Sequence, residues 1–253
     1  MPVKLNDLLS YIDKTLAVNS IQDYCPNGLQ VEGKPEIKKL IGGVTASQAL
    51  IDAAIARKAD AILVHHGYFW KGEDQAISGI KKQRIKALLD HDISLLAYHL
   101  PLDLHPVVGN NAQLAKLLEL INIRDLDAKS KHSIAIAADL AKPLTAKEFN
   151  DLISQKLQRQ CFHVGDESKV IKTIGLCTGA AQGMITQAVE KGLDGYLSGE
   201  ISEPTFHIAK ETGVNYFSAG HHATERGGVI ALGEKLAEEF DLEFEFIDID
   251  NPV

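Results

Sequence analysis

Asp60-Ala61-Ile62-Leu63-Val64-His65-His66-Gly67 reads as an apolar strand that runs into two adjacent histidines and a glycine. Neighbouring residues of a strand point to opposite faces, so His65 and His66 can serve one site only where the strand stops and the backbone turns at Gly67. Two imidazoles at a strand end suit one or two metal ions, because neutral histidine is the commonest protein ligand. Taken alone, the pair reads equally well as ordinary polar residues at a loop start.

Outward from this stretch the pattern is βαβ. Lys39 to Val44 reads as a strand, Ser47 to Lys58 as a helix, and Asp60 to Val64 as the next strand. A helix follows from about Ile80 to Leu89, then a third strand from Ile93 to His99, stopped by Pro101 and followed by Asp103. Gly109 to Leu120 reads as another helix. Upstream, Leu5, Leu8, Leu9, Ile12 and Leu16 recur at helical spacing, and Asp23 to Gly33 reads as a loop of turn residues around a short apolar piece.

The second half repeats the first. An alternating strand spans Ile134 to Leu140, and Thr145 with Glu148 forms a capping box for a helix to about Leu157. Ile41-Gly42-Gly43-Val44-Thr45-Ala46, helix and Ala59 to His66 then align with Ile174-Gly175-Leu176-Cys177-Thr178-Gly179, helix and Leu193 to Glu200, with one inserted residue. A further strand follows each copy, Ile93 to His99 in the first and Val214 to Ala219 in the second. A helix from about Thr224 to Phe240 and a strand from Leu242 to Ile249 close the chain. So long a period means two related α/β halves rather than a solenoid. The expected division is residues 1–128, carrying His65, His66 and Asp103, and residues 129–253, carrying Glu200, His221 and Glu225, with the C-terminal part packing back on the first half.

At 253 residues, with 45% apolar and 24% charged residues, the chain can bury a sizeable core. No run of about 18 apolar residues exists, and Met1-Pro2-Val3-Lys4 leads into an amphipathic helix, so a cytoplasmic protein without a membrane partner is expected. Cys25, Cys161 and Cys177 lack Cys-x-x-Cys spacing and read as three buried thiols. A net charge of −8, with no cluster of basic and aromatic residues, disfavours nucleic acid.

If both halves are parallel sheets, ligands gather beyond the carboxyl ends of the strands. Every such end here is polar. The first half offers His65 and His66, then His99 with Asp103; the second offers Glu200, then His221-His222-Ala223-Thr224-Glu225. His221 and Glu225 are four apart and share a face if a helix has begun, while His222 points elsewhere. Imidazoles mixed with carboxylates describe a site for zinc, manganese or iron, and a two-metal arrangement would generate hydroxide near neutral pH. No G-x-S-x-G elbow, Walker loop or G-x-G-x-x-G after a strand is present. Trp70, Lys71, Glu73 and Asp74 form a polar, aromatic loop just beyond His66, either a substrate contact or a solvated turn.

Pro26-Asn27-Gly28-Leu29-Gln30-Val31, Gly43-Val44-Thr45-Ala46-Ser47, Val64-His65-His66-Gly67, His99-Leu100-Pro101-Leu102-Asp103, Gly109-Asn110-Asn111, Ser198-Gly199-Glu200 and Ala219-Gly220-His221-His222-Ala223-Thr224-Glu225 together resemble the Nif-three-like family, the GTP cyclohydrolase type-one, class-two homologues. The resemblance covers essentially the whole chain. It implies a pair of interlinked α/β domains, a homohexameric ring built as a trimer of dimers, and two divalent metal ions held by His65, His66, Asp103, His221 and Glu225. The activity attached to the family is ring opening of GTP to dihydroneopterin triphosphate and formate. His99 and Glu200 are then the candidates for moving the proton, or for orienting a ligand. A metal-dependent phosphoesterase or nuclease, and a metal-stabilised scaffold without catalysis, remain as alternatives.

Overall fold

The computed structural model describes residues 2–130 and 132–253. The strand Ala61–His66 lies at the centre of a five-stranded sheet in the order Glu243–Phe246, Lys39–Thr45, Ala61–His66, Ser94–Ala97, Gly28–Val31. The first four strands are mutually parallel and Gly28–Val31 runs antiparallel at the edge. The first five residues of the central strand, Ala61 to His65, are all buried, as expected of a strand covered on both faces.

Alternation along these strands sorts the core into two layers. On one face Leu40, Ala61, Leu63 and Leu96 meet Leu5, Leu8 and Ile12 of the helix Leu5–Thr15 and Val229, Leu232 and Leu236 of the helix Arg226–Phe240. On the other face Ile41, Ile62, Val64 and Leu95 meet Leu50, Ile51 and Ala54 of the helix Gln48–Ala56 and Ile85 and Leu88 of the helix Gly79–Asp90. Each fully buried Leu or Ile contributes roughly 1.5–3 kcal/mol over an exposed one, so the two layers hold the sheet rigid behind its polar strand ends.

A second sheet has six strands, in the order Leu120–Asp125, Ile136–Thr145, Val170–Leu176, Gly195–Ser198, Asn215–Ser218, Phe162–Val164. Val170–Leu176, Gly195–Ser198 and Asn215–Ser218 are parallel and the other pairings antiparallel. Phe149, Ile153 and Leu157 of the helix Ala146–Leu157 cover one face, and Ile185, Ala188 and Ala209 the other. The predicted capping box is present, with the Thr145 side chain accepting from Glu148 N–H.

The internal repeat is visible strand by strand. Each sheet holds three consecutive parallel strands, and each third strand pairs with an antiparallel edge strand that comes earlier in the chain. The loop before the middle strand is built alike in both. Asp60 accepts hydrogen bonds from the backbone N–H groups of Lys38 and Lys39, both at 3.0 Å, and Asp194 from those of Lys172 (2.9 Å) and Thr173 (3.0 Å). A carboxylate at this point ties the start of one strand to the start of the next and so sets their register.

The structure corrects several expectations. Neither sheet is purely parallel: Gly28–Val31, expected inside a loop, is an edge strand, and Leu120–Asp125 and Phe162–Val164 add further antiparallel strands. The chain divides into one unit of residues 1–109 and 228–250 and another of residues 110–227 and 251–253, rather than at residue 128. The reason is pairing: Leu120–Asp125 joins the second sheet through Ile136–Thr145, whereas Glu243–Phe246 joins the first beside Lys39–Thr45. The closing helix is broken at Glu225 into His221–Thr224 and Arg226–Phe240. Cys161 and Cys177 are buried thiols, but Cys25 is only half-buried.

Candidate functional site

In the first unit the carboxyl ends of the strands carry a cluster of imidazoles. His65 and His66 end their strand with ring centroids 4.5 Å apart, and His99, just beyond Ser94–Ala97, lies 5.0 Å from His65 and 5.8 Å from His66. Each of the three offers a ring nitrogen within 4.8 Å of the others. Gly67 allows this convergence by leaving room, since a Cβ there would lie 2.6 Å from that of Ala97. A left-handed backbone is not the reason, because Gly67 is not among the residues with positive φ.

Hydrogen bonds fix how each ring is presented. His65 is completely buried, and its Nδ1 lies 2.9 Å from the Tyr98 carbonyl oxygen. A carbonyl only accepts, so Nδ1 carries a proton, and Nε2 is the nitrogen left for a cation or a second proton. That Nε2 lies 3.4 Å from Oδ1 of Asp103, a buried residue in the first turn of the helix Leu100–Leu104. A lone pair facing a carboxylate is an unfavourable arrangement unless a cation or a proton comes between them. His66 Nδ1 is 3.3 Å from the Thr45 hydroxyl.

His99 is set by Asp23, a residue that sequence reasoning missed. The Asp23 carboxylate takes His99 Nδ1 at 2.9 Å, the Leu100 N–H at 2.9 Å and the Asn27 amide at 2.9 Å. Burial alone would raise the Asp23 pKa, but the hydrogen bonds from His99 and Asn27 hold it well below the usual carboxylate range. Asn27 also accepts the His99 backbone N–H at 2.7 Å. The only sequence signal was the density of polar turn residues between Asp23 and Asn27. Cys25 stands next to this pair, and burial with the Asp23 charge pushes its thiol up to about 12.

In the second unit the short helix His221–Thr224 brings His221 and Glu225 together, as their spacing predicts: Nε2 lies 3.2 Å from Oε2 of the buried Glu225. On the other side, Nδ1 of His221 lies 2.7 Å from Oε1 of Glu200. Burial would depress the His221 pKa, but the two carboxylates raise it to about 9. The ring is held between two carboxylates, Glu200 at Nδ1 and Glu225 at Nε2. Gly179 closes over this pair at φ +65°, and any Cβ there would overlap Oε1 of Glu225 and lie 3.3 Å from Nε2 of His221. The His222 backbone N–H is used by the Val253 carbonyl at 3.0 Å.

Of the seven residues singled out from sequence, His65 and His66 end a strand, His99 and Glu200 lie just beyond strands, and Asp103, His221 and Glu225 lie in or beside the short helices that follow; His65, His66, His99 and Asp103 belong to one unit, Glu200, His221 and Glu225 to the other. The donor set fits a transition metal. Nitrogen and carboxylate oxygen predominate, and the three histidines His65, His99 and His221 each have one ring nitrogen committed to a fixed oxygen acceptor, the arrangement that orients metal-binding imidazoles. Among the other histidines, His91 and His163 bond to the Ala87 carbonyl and Asn215, and His105 accepts from the Val107 and Val108 N–H groups. Among the described residues no helix is long and apolar enough to cross a membrane.

A family model described as Duf34/NIF3 (NGG1p interacting factor 3) matches residues 3–252. The chain is 55% identical over 249 residues to a Haemophilus influenzae protein named GTP cyclohydrolase 1 type 2 homolog, covering 97% of this chain and 98% of that one. It is 46% identical over 251 residues to a protein of the same name from Escherichia coli K12, covering 99% and 100%. Among solved structures, the protein ybgI, described as of unknown function, superposes with a TM-score of 0.94 at 45% identity, covering 99% of this chain and 100% of that one. TTHA1606 from Thermus thermophilus superposes with a TM-score of 0.89 at 31% identity, covering 99% and 100%.

Proposed function

Because this chain belongs to the Duf34/NIF3 (NGG1p interacting factor 3) family, we propose that it is a dinuclear-metal-dependent hydrolase of the GTP cyclohydrolase type, opening the purine ring of GTP to give dihydroneopterin triphosphate and formate. His65, His66, Asp103, His221 and Glu225 are the ligands of two divalent ions, zinc, manganese or iron. The observation that carries this reading is that His65 Nε2 and His221 Nε2 each face a buried carboxylate while Nδ1 of the same ring is held by an oxygen acceptor. Such ions, when bound, polarise a substrate oxygen and lower the pKa of water toward neutrality.

The chain's own residues divide the remaining work. Asp23 stays ionised and keeps the Nδ1 proton of His99 in place, so proton exchange by His99 occurs at Nε2. Glu200 holds the Nδ1 proton of His221, and with its side chain 34% exposed it can pass protons to solvent. The assembly in this reading is a homohexamer, a ring of three dimers, taking a small-molecule substrate.

Elemental analysis of protein reconstituted with each metal in turn is expected to give close to two ions per chain. His65→Ala, Asp103→Asn and Glu225→Gln are expected to lose metal and formate release together, while Glu200→Gln keeps its metal and loses formate release. Formate release from GTP is measured beside hydrolysis of a generic phosphodiester. Phosphodiester cleavage without formate transfers the assignment to a phosphoesterase, and metal retained with no turnover transfers it to a scaffold. A chain that stays metal-free overturns the reading, and a monomer in light scattering at micromolar concentration overturns the hexamer.

A further inference from the structure

We propose that Trp70, with Tyr24 beside it, is the surface on which the planar ring of a heteroaromatic substrate stacks next to the imidazole cluster; this rests on the hydrolase reading. Trp70 is the chain's single tryptophan. Its ring centroid lies 5.0 Å from that of His99 and 5.9 Å from that of His66. Tyr24 lies 5.0 Å from His99 and 5.8 Å from Trp70, and it is 52% exposed. Aromatic surface left partly in water beside a few convergent polar groups is the ordinary make-up of a small-molecule site.

The backbone is held to produce this arrangement. Phe69, a bulky residue, has φ +66°, a conformation that costs free energy and persists only where its surroundings over-determine it. They do so here. Tyr68 N–H donates to Gln30 Oε1 at 2.7 Å and Tyr68 OH to the Ala46 carbonyl at 2.8 Å, while Lys71 N–H donates to the Tyr24 carbonyl at 2.7 Å. Glu73 accepts the Trp70 N–H at 3.1 Å. The bond from Lys71 to Tyr24 ties the loops of the two rings to each other, and the bonds between Trp70 and Glu73 close a local turn just beyond the indole. Residues 71–80 beyond it are all exposed, so Trp70 is the point where an anchored segment gives way to solvent.

The geometry also says how the ring is read. The indole N–H donates to the Gly67 carbonyl at 3.2 Å, so the one polar atom of Trp70 is spent and only its π-faces remain to offer. At 5.8 Å between centroids, Tyr24 and Trp70 stand too close to admit a ring between them, since a planar group needs about 3.5 Å on each side. The substrate ring therefore lies on an outer face rather than in a slot. Stacking of this kind tolerates any flat heterocycle and gives no hydrogen-bond readout, so Trp70 selects for a ring and not for a particular base.

The test uses the full-length protein and its only tryptophan as reporter. Guanosine monophosphate and cytidine monophosphate are expected to quench Trp70 emission, and ribose 5-phosphate, which has no ring system, to leave it unchanged. By calorimetry Trp70→Leu is expected to weaken guanosine monophosphate binding roughly 10- to 100-fold, with Trp70→Phe within about threefold of wild type, because stacking survives in phenylalanine. If Trp70→Leu does not fold, the fluorescence comparison decides alone. Ribose 5-phosphate binding and quenching as well as the nucleotides, or Trp70→Leu binding as wild type does, overturns the inference. The hydrolase reading is judged separately by metal content and formate release: turnover undiminished in Trp70→Leu sinks the stacking surface alone, whereas ring-dependent quenching without metal or turnover sinks the hydrolase alone.

Discussion

Replacing Gly179 by alanine tests the Glu225 assignment without touching a ligand. Gly179 has φ +65°, and a Cβ there would overlap Oε1 of Glu225 and lie 3.2 Å from its Cδ. Gly192, in the same unit, has φ +64° with nothing within 4 Å of the position its Cβ would take. The left-handed backbone penalty is therefore nearly equal at the two sites, about 1–2 kcal/mol for an L-residue. In a chain of this size that lowers the melting temperature of Gly192→Ala by about 2–8 °C. Gly179→Ala bears this cost and also displaces the Glu225 carboxylate from His221. Its metal affinity, measured by competition with a chelator that absorbs visible light, should fall by at least the roughly 10- to 100-fold typical of disturbing a ligand's partner. Gly192→Ala should bind metal as wild type does. Equal metal affinity in the two variants would refute the placement of Glu225 as a ligand.

Other outcomes follow from the same contacts. Asp60→Asn removes the charge that accepts two backbone N–H groups and pairs with Lys34 Nζ at 2.7 Å, and should cost about 2 kcal/mol in urea unfolding at pH 7, since hydrogen bonds to a charged group are worth about 1.5–3 kcal/mol. Burial opposes ionisation of Asp60, but these hydrogen bonds lower its pKa; its contribution is therefore complete above the unfolded carboxyl's pKa of about 3.9 and is lost as pH falls through the lower folded value, so wild type and variant should converge in acid. Asp23→Asn should keep metal and slow turnover by about 10- to 100-fold, because His99 loses the anion that fixes its tautomer; turnover as fast as wild type counts against a part for His99 in the reaction. Phe149→Ala, in the core of the second unit, should cost about 3–5 kcal/mol by calorimetry and leave the ligand residues in place.

Much of this protein is legible in its sequence because the information is local. Apolar runs such as Ala61 to Val64 specify buried strands wherever they occur, Thr145 with Glu148 caps its helix from three residues away, and the repeat of strand, helix and strand shows directly in the alignment of Ile41 to His66 with Ile174 to Glu200. The His221–Glu225 pair is likewise a consequence of helical spacing. What tertiary structure alone decided is which distant segment satisfies which group. Asp23 reaches His99 across 76 positions, and Glu200 reaches His221 across 21, because strands that neighbour one another in a sheet bring their end loops together. The edge strands Gly28–Val31 and Phe162–Val164 were hidden for the same reason: short and partly exposed, they have no periodicity to announce them, and only pairing with Ser94–Ala97 and Asn215–Ser218 makes them strands. The C-terminal part was expected to pack back on the first half, but its partner there was not: the strand Glu243–Phe246 completes hydrogen bonds that Lys39–Thr45 would otherwise leave open, and backbone groups of a sheet interior cannot remain unsatisfied.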